Sequence, residues 1–312
     1  MAGTGAAGMM SGMTTGDGDA GGRLFPDDLD GVDPVAAVML ADARRALSAY
    51  PELVVVGTLF TAAEHVPGGW QIVCPCDPLP QGARELLADR LEDQADGADG
   101  AQAHELRAAA RTLRRGPADE LTAGGRRFRI VRIEQRIRIG PDGPEPPRPT
   151  DLDPLPADHR VRRGRPHELL PEQGPASGFA TAELLGQMLD AAPAPGDEPS
   201  RTFRTPVALA PVFTVAERGE RRWHPVGRLH DAPQQAREAL ITYFRHVVPA
   251  VESPAHTDVA RFAEAAALLE GETRRNGIAV AGRRFRIVRI ERITLMGSGG
   301  PEPPRPTDFD AR

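Results

Sequence analysis

The sequence predicts an α+β fold made of two tandem copies of one α-β-β-α-α-β unit, each with an antiparallel sheet, packed as a pseudo-twofold dimer. Three observations carry this. First, residues 125–153 and 282–310 align without a gap at a shift of 157, and 21 of the 29 paired positions are identical. The shared residues lie at the two ends: Gly-Arg-Arg-Phe-Arg-Ile-Val-Arg-Ile-Glu at 125–134 and 282–291, then Pro-Glu-Pro-Pro-Arg-Pro-Thr-Asp at 144–151 and 301–308. Second, Phe60-Thr61, Glu64, Trp70 and Ala83-Arg84-Glu85 return as Phe213-Thr214, Glu217, Trp223 and Ala236-Arg237-Glu238, all at a shift of 153. The difference between the two shifts is a net insertion of four residues in the helical part of the second copy, where added loop length costs little entropy. Third, helical and strand periodicities follow one another in the same order in both halves.

The elements can be justified in turn. Asp33-Pro34 supplies an N-cap and a proline at the first helical position. Val35, Val38, Met39, Ala43, Ala46 and Leu47 then recur at helical spacing up to Tyr50-Pro51. Residues 52–64 are rich in Val, Leu, Phe and Thr and read as a strand; His65-Val66-Pro67-Gly68-Gly69 turns the chain, and Trp70–Cys74 returns as the second arm of a hairpin. Pro80-Gln81 opens a helix through Ala83, Leu86, Leu87 and Leu91, and a second helix follows near 102–115. Next comes the arginine-rich strand around Arg127 and a proline segment. In the second copy, a helix at 179–191 stands for 34–49 and one at 234–247 stands for 80–94. These boundaries divide the chain into a leader at 1–32, unit 1 at 33–153, a linker at 154–178 and unit 2 at 179–312.

Composition narrows the function. All 38 basic residues are arginine, with 33 Gly and 31 Pro, which reads as the codon bias of a GC-rich genome. The leader through Asp33 has six Asp against Arg23, so it carries −5 of the net −6 and leaves a body near −1. A nearly neutral body disfavours nucleic acid as the partner. The leader is Gly/Ala/Asp-rich and reads as disordered. It has no signal-peptide pattern, no apolar run reaches bilayer length, and the two cysteines suit a reducing compartment, so the expectation is a cytoplasmic protein.

The repeated strand invites a functional reading. Phe128 and Ile130 share one face by alternation, whereas Val131, Ile133, Ile137 and Ile139 have the opposite parity. Either both faces are buried, or a β-bulge at Ile130-Val131 resets the pleat. The bulge would place Arg127, Arg129, Arg132, Glu134, Arg136 and Arg138 on one outer face, with Arg284, Arg286, Arg289 and Glu291 as the second copy's set. Such a stripe either binds an anion or a partner, or is a solvated face whose arginines pair with Glu134 and Glu291. The proline segment lacks the N–H donors of a central strand. It is expected as a polyproline strap, either recognised by another protein or fixed to its own domain, with Arg148 and Arg305 paired to Glu145/Glu302 or Asp151/Asp308. Proline packs well on indole, so each strap is expected on a tryptophan hairpin, Trp70 or Trp223, with Glu64 and Glu217 meeting Arg148 and Arg305.

Other chemistry is thin. Cys74-Pro75-Cys76 has no second pair and reads as a strand edge rather than a zinc site. Asp151/Asp153 and Asp308/Asp310 could ligate Mg²⁺ weakly, but read rather as solvated acids after a proline strap. There is no phosphate loop, nucleophile elbow or ligand-spaced histidine pair, so no metal, cofactor or catalytic residue is assigned. The Gly-Arg-Arg-Phe-Arg strand and Pro-Glu-Pro-Pro-Arg-Pro-Thr-Asp tail resemble an uncharacterised actinobacterial, streptomycete-type family. That resemblance implies no activity and supports the cytoplasmic, high-GC bacterial setting. The leading expectation is a non-enzymatic binding or adaptor module that uses Arg/Glu strand faces to hold another protein or an anionic small molecule. The alternative is an enzyme acting on an anionic small molecule between the repeats.

Overall fold

The computed structural model describes residues 34–154, 169–171, 202–252, 255–272 and 274–310, and every structural statement concerns these. The leader, the expected helix at 179–191 and most of the linker lie outside them.

In the first half, α1 (Pro34–Ala49) leads into β1 (Glu52–Val66), β2 (Gly69–Ile72), α2 (Pro80–Asp96), α3 (Gly100–Arg115), β3 (Glu120–Ala123), β4 (Arg126–Gly140) and β5 (Gly143–Pro144). The short strand β6 (Leu169–Pro171) falls in the stretch read from sequence as linker. The second half runs β7 (Phe203–Arg218), β8 (Trp223–Pro225), α4 (Pro233–Thr242), a π-helical stretch (Tyr243–Glu252), α5 (His256–Gly271), β9 (Gly277–Val280), β10 (Arg283–Gly297) and β11 (Gly300–Pro301). The expected helix at 234–247 is therefore α4 running into the wider π-helical turns. The net insertion falls between α4 and β9, because Pro80/Pro233 differ by 153 while Glu120/Gly277 differ by 157.

Eleven strands form one sheet of order β6-β2-β1-β4-β10-β7-β8, with β3 and β5 on β4 and β9 and β11 on β10. The β1–β2 and β7–β8 hairpins have matching registers: His65↔Trp70 and Ala63↔Ile72 in one, Arg218↔Trp223 and Ala216↔Pro225 in the other. The halves join through β4 and β10 by only three antiparallel pairs, Arg136↔Glu291, Gln135↔Arg292 and Glu134↔Ile293. Adding 157 to 134, 135 and 136 gives 291, 292 and 293, so these pairs map onto one another.

Of the two alternatives for β4, the bulge at Ile130-Val131 is not there: β1 pairs β4 without a break from Thr58↔Glu134 to Glu64↔Phe128. The irregularity lies on the partner strand, between Val55 and Gly57, opposite the point where β4 meets β10. A bulge raises local twist, and this is where β4 must turn from one neighbour to another. Both faces of β4 are accordingly buried. Phe128 and Ile130 pack with Leu87, Leu91, Leu106 and Leu113 of α2 and α3. Val131 and Ile133 pack with Trp70, Leu170, Val207, Leu209 and Met296, a cluster drawn from both halves. A third core sets Phe213, Phe285 and Ile287 against Leu240, Phe244, Phe262 and Leu269.

Candidate functional site: exchanged straps over an arginine–glutamate network

The three-residue joint leaves gaps along the inner edges of β4 and β10, and the straps fill them. Glu145 donates its N–H to the Arg138 carbonyl on its own strand (2.9 Å), and its carbonyl accepts from Arg289 N–H on the other (3.0 Å). Glu302 does the equivalent: its N–H bonds the Leu295 carbonyl (2.8 Å) and its carbonyl accepts from Arg132 N–H (2.8 Å). Each strap thus starts as a hairpin on its own long strand and crosses to the other half.

Side chains hold the crossing. Glu134 accepts Arg132 Nη1 at 2.8 Å and Arg136 Nη2 at 2.7 Å. From the second strap, Asp308 takes Arg132 Nε at 3.2 Å, and Arg305 bonds Glu302 at 2.8 Å with Glu134 3.7 Å away. In the other half Arg289 bonds Glu291 and takes Asp151 at 3.0 Å, while Arg148 reaches Glu145 and, at 3.0 Å, Glu291. Asp151 and Asp308 also accept the backbone N–H of Arg148 and Arg305, each at 2.7 Å.

The far end of each strap is latched to a helix. Asp310 pairs with Arg84 of α2 at 2.7 Å and accepts the Gln81 N–H at 3.1 Å. It serves the first turn of a helix whose own N-cap, Leu79, supplies no side-chain bond. Asp153 pairs with Arg237 of α4 at 2.5 Å. These aspartates are not the solvated acids expected from sequence, because a buried guanidinium on the opposite half needs a counter-ion. Arg84 is 2% exposed and also bonds Asp119 at 2.7 Å. Sequence reasoning missed Arg84 and Arg237. Their signal was present: Arg84 falls on the stripe of Ala83, Leu87, Ala88 and Leu91 that faces the core, where an unpaired charge is not tolerated.

The near end of each strap meets a tryptophan of the opposite half. Gly143 and Gly300 adopt φ of 112° and 118°, a region open to glycine. A Cβ on Gly143 would strike the Trp223 indole, and one on Gly300 would strike Trp70. The Arg129 guanidinium lies 5.1 Å over the Trp70 ring and donates to the Pro301 carbonyl at 3.0 Å. Arg286 lies 5.1 Å over Trp223 and donates to the Pro144 carbonyl at 2.9 Å.

The structure therefore divides the predicted residues. Arg129, Arg132, Glu134, Arg289 and Glu291 are buried, not displayed on an outer face, because the straps cover them. Arg286 is partly buried, while Arg127 stays half-exposed beside Glu120 and Arg284 is exposed. Glu64 and Glu217 do not meet Arg148 and Arg305. They engage Arg126 at 3.7 Å and Arg283 at 2.6 Å, since the register sets Glu64 opposite Phe128 and Glu217 opposite Phe285, away from the strap arginines.

Electrostatics follow the geometry. Burial alone would raise the Glu134 carboxyl, but hydrogen bonds and charge from Arg132 and Arg136 hold it below the ordinary glutamate value. Burial likewise opposes ionisation of Glu291, and the charges of Arg289, Arg148 and Arg138 bring it down. Both are fixed anions, a state suited to a counter-ion and not to a proton donor near neutral pH. Burial pushes the Cys74 thiol up to about 12, which keeps it protonated. Among the described residues no His/Cys/Asp/Glu group is placed to hold a metal ion, and no helix is long and apolar enough to cross a membrane.

The interlocked halves match a single family model over residues 33–311. The chain belongs to the family of unknown function DUF5954. The match runs through both copies and both straps, and its description carries no activity. No curated protein and no solved structure matches the chain.

Proposed function

We propose that this DUF5954 protein is a non-catalytic binding or adaptor module of a bacterial cytoplasm, made of two repeat units that pack as a homodimer would. The pseudo-twofold axis passes through the Gln135↔Arg292 pair, the one pair that the 157-residue shift maps onto itself. The observation that carries the reading is the state of Glu134 and Glu291. Both are consumed as depressed-pKa counter-ions to Arg132/Arg136 and Arg289/Arg148, whereas an enzyme working on an anion from the same residues would need its arginines open. The Arg/Glu faces act as an internal lock, and docking falls to what emerges beyond the straps. On β10 that is exposed Arg284, with Arg286 two residues on and stacked over Trp223.

The test is affinity capture from the native lysate with the full chain and with Arg284→Glu. A protein held by the first and lost by the second supports the module. Turnover of a phosphate ester or a small dicarboxylate, abolished by Glu134→Gln and Glu291→Gln in variants that still melt cooperatively, would overturn it in favour of the enzyme.

A further inference from the structure

The two hairpins share one register but not one neighbour. On the outer edge of β2 lies β6, with Trp70↔Leu170 between Gly69↔Pro171 and Gln71↔Leu169. Leu170 is fully buried and shares a cluster with Trp70. At the equivalent edge Trp223 is only partly buried and His224, Pro225 and Val226 are exposed; among the described residues no strand pairs there.

The hydrogen-bonding sense of that edge follows from alternation. Val73 donates inward to Ala62, so Trp70 turns its N–H and carbonyl outward to β6. Val226 likewise donates inward to Val215, and Gly219 takes the Arg222 carbonyl, which leaves the Trp223 N–H and carbonyl facing outward. Pro225 has no N–H to offer, but its equivalent, Ile72, takes no part in the β6 pairing. The donor and acceptor that β6 uses on one half are thus present on the other.

We infer that the β8 edge is a docking site for an extended peptide strand added to the sheet, with a leucine seated beside Trp223 as Leu170 sits beside Trp70. The chemistry of the occupant is read from the chain itself. The strand that fills the first edge is β6, Leu169–Pro171, and in the sequence this apolar stretch is flanked by Glu168 and Glu172. Around β8 in the chain, Arg218, Arg221, Arg222 and Arg228 are exposed, with Glu220 the one acid from 218 to 228. Main-chain pairing supplies affinity in such strand addition, and the side-chain seat supplies selectivity; the arginines select acidic flanks. The partner is therefore a protein carrying an acidic, leucine-centred extended segment. This deepens the adaptor reading by naming the partner's recognition element.

The test titrates the full-length chain with a synthetic hexapeptide of the sequence of residues 167–172, His-Glu-Leu-Leu-Pro-Glu, following tryptophan emission and binding heat. A saturable blue shift that vanishes in Trp223→Phe and persists in Trp70→Phe is expected. A peptide N-methylated at its second leucine loses the donor to the Trp223 carbonyl and should bind about tenfold more weakly or worse. Lysine in place of both glutamates should also weaken binding. No saturable signal up to millimolar peptide overturns the inference. So does a signal that follows Trp70, which would place the peptide on β2 in exchange with β6. Capture that depends on Arg284 with no peptide binding would sink this site and leave the adaptor reading standing.

Discussion

Trp70 and Trp223 occupy equivalent places in equivalent hairpins, each under an arginine and against a glycine of the opposite strap. One is 1% exposed and the other is only partly buried, and among the described residues no strand pairs on the edge where its counterpart has β6. The strap contacts are shared because they depend on residues that both copies retained. The outer covers differ because β6 comes from outside the repeated unit. The two halves thus match in what lies between them and differ in what lies beyond.

The largest effects test whether the interiors are energetically equal. Glu134→Ala removes the buried carboxylate shared by Arg132 and Arg136, and Glu291→Ala the one shared by Arg289 and Arg148. Each should cost about 3–5 kcal/mol, as removal of one partner from a buried pair does. Denaturant unfolding should give the two variants midpoints close to each other. A loss in one and none in the other would break the equivalence. Next, Gly143→Ala and Gly300→Ala both push a methyl into an indole from a left-handed backbone, at about 1–3 kcal/mol each. A neutral result from thermal melts in either would mean that strap is not seated on its tryptophan.

Acid probes the same locks more gently. Glu134 and Glu291 titrate lower folded than unfolded, so they contribute stability that is present above the unfolded glutamate value of about 4.3 and lost as pH falls through their folded values. Each unit of depression corresponds to about 1.4 kcal/mol. Asp119 runs the other way: burial raises it despite Arg84, so its contribution is full below the unfolded aspartate value and lost as pH rises through the folded one. The expected profile is net acid destabilisation, made shallower by Glu134→Gln; an unchanged slope in that variant refutes the counter-ion role. The smallest effect is spectral. Trp223→Phe should leave a blue-shifted emission from buried Trp70, and Trp70→Phe a redder one from Trp223. Identical spectra would remove the contrast between the two edges.

Much of the architecture was legible in the residues. The repeat of Phe60, Trp70 and Ala83-Arg84-Glu85 at one shift located both hairpins and the helices after them. Alternation in β4 left two choices, buried on both faces or bulged. It could not choose, because the deciding residue, Val56, lies on the neighbouring strand. The arginine–glutamate stripe was readable as a pattern, but its burial was not, because its cover comes from the strap of the other copy. A sequence shows that Arg305 and Glu302 are three apart; it does not show that Arg305 reaches Glu134 or that the Glu302 carbonyl meets the Arg132 N–H in the other half. The helix at 179–191 falls outside the described residues, and the rim was hidden for the same reason as the stripe: nothing local to Trp223 announces that Leu170 belongs beside its twin.

The latch between Asp310 and Arg84, 226 positions apart, bears on how the protein is made. Contacts of such separation form slowly, because a long loop must close before they reward it. When the first half leaves the ribosome, Arg84, Arg129 and Arg132 have β1, α2 and Asp119 around them, but the residues that complete their shell have yet to be translated. The first half must wait, open along one strand edge and charged within, for a partner 226 residues further along its own message. Nascent chains in that interval are the form most exposed to aggregation and proteolysis. Rare codons or pauses placed after residue 153 should therefore lower soluble yield more than the same pauses placed near the start.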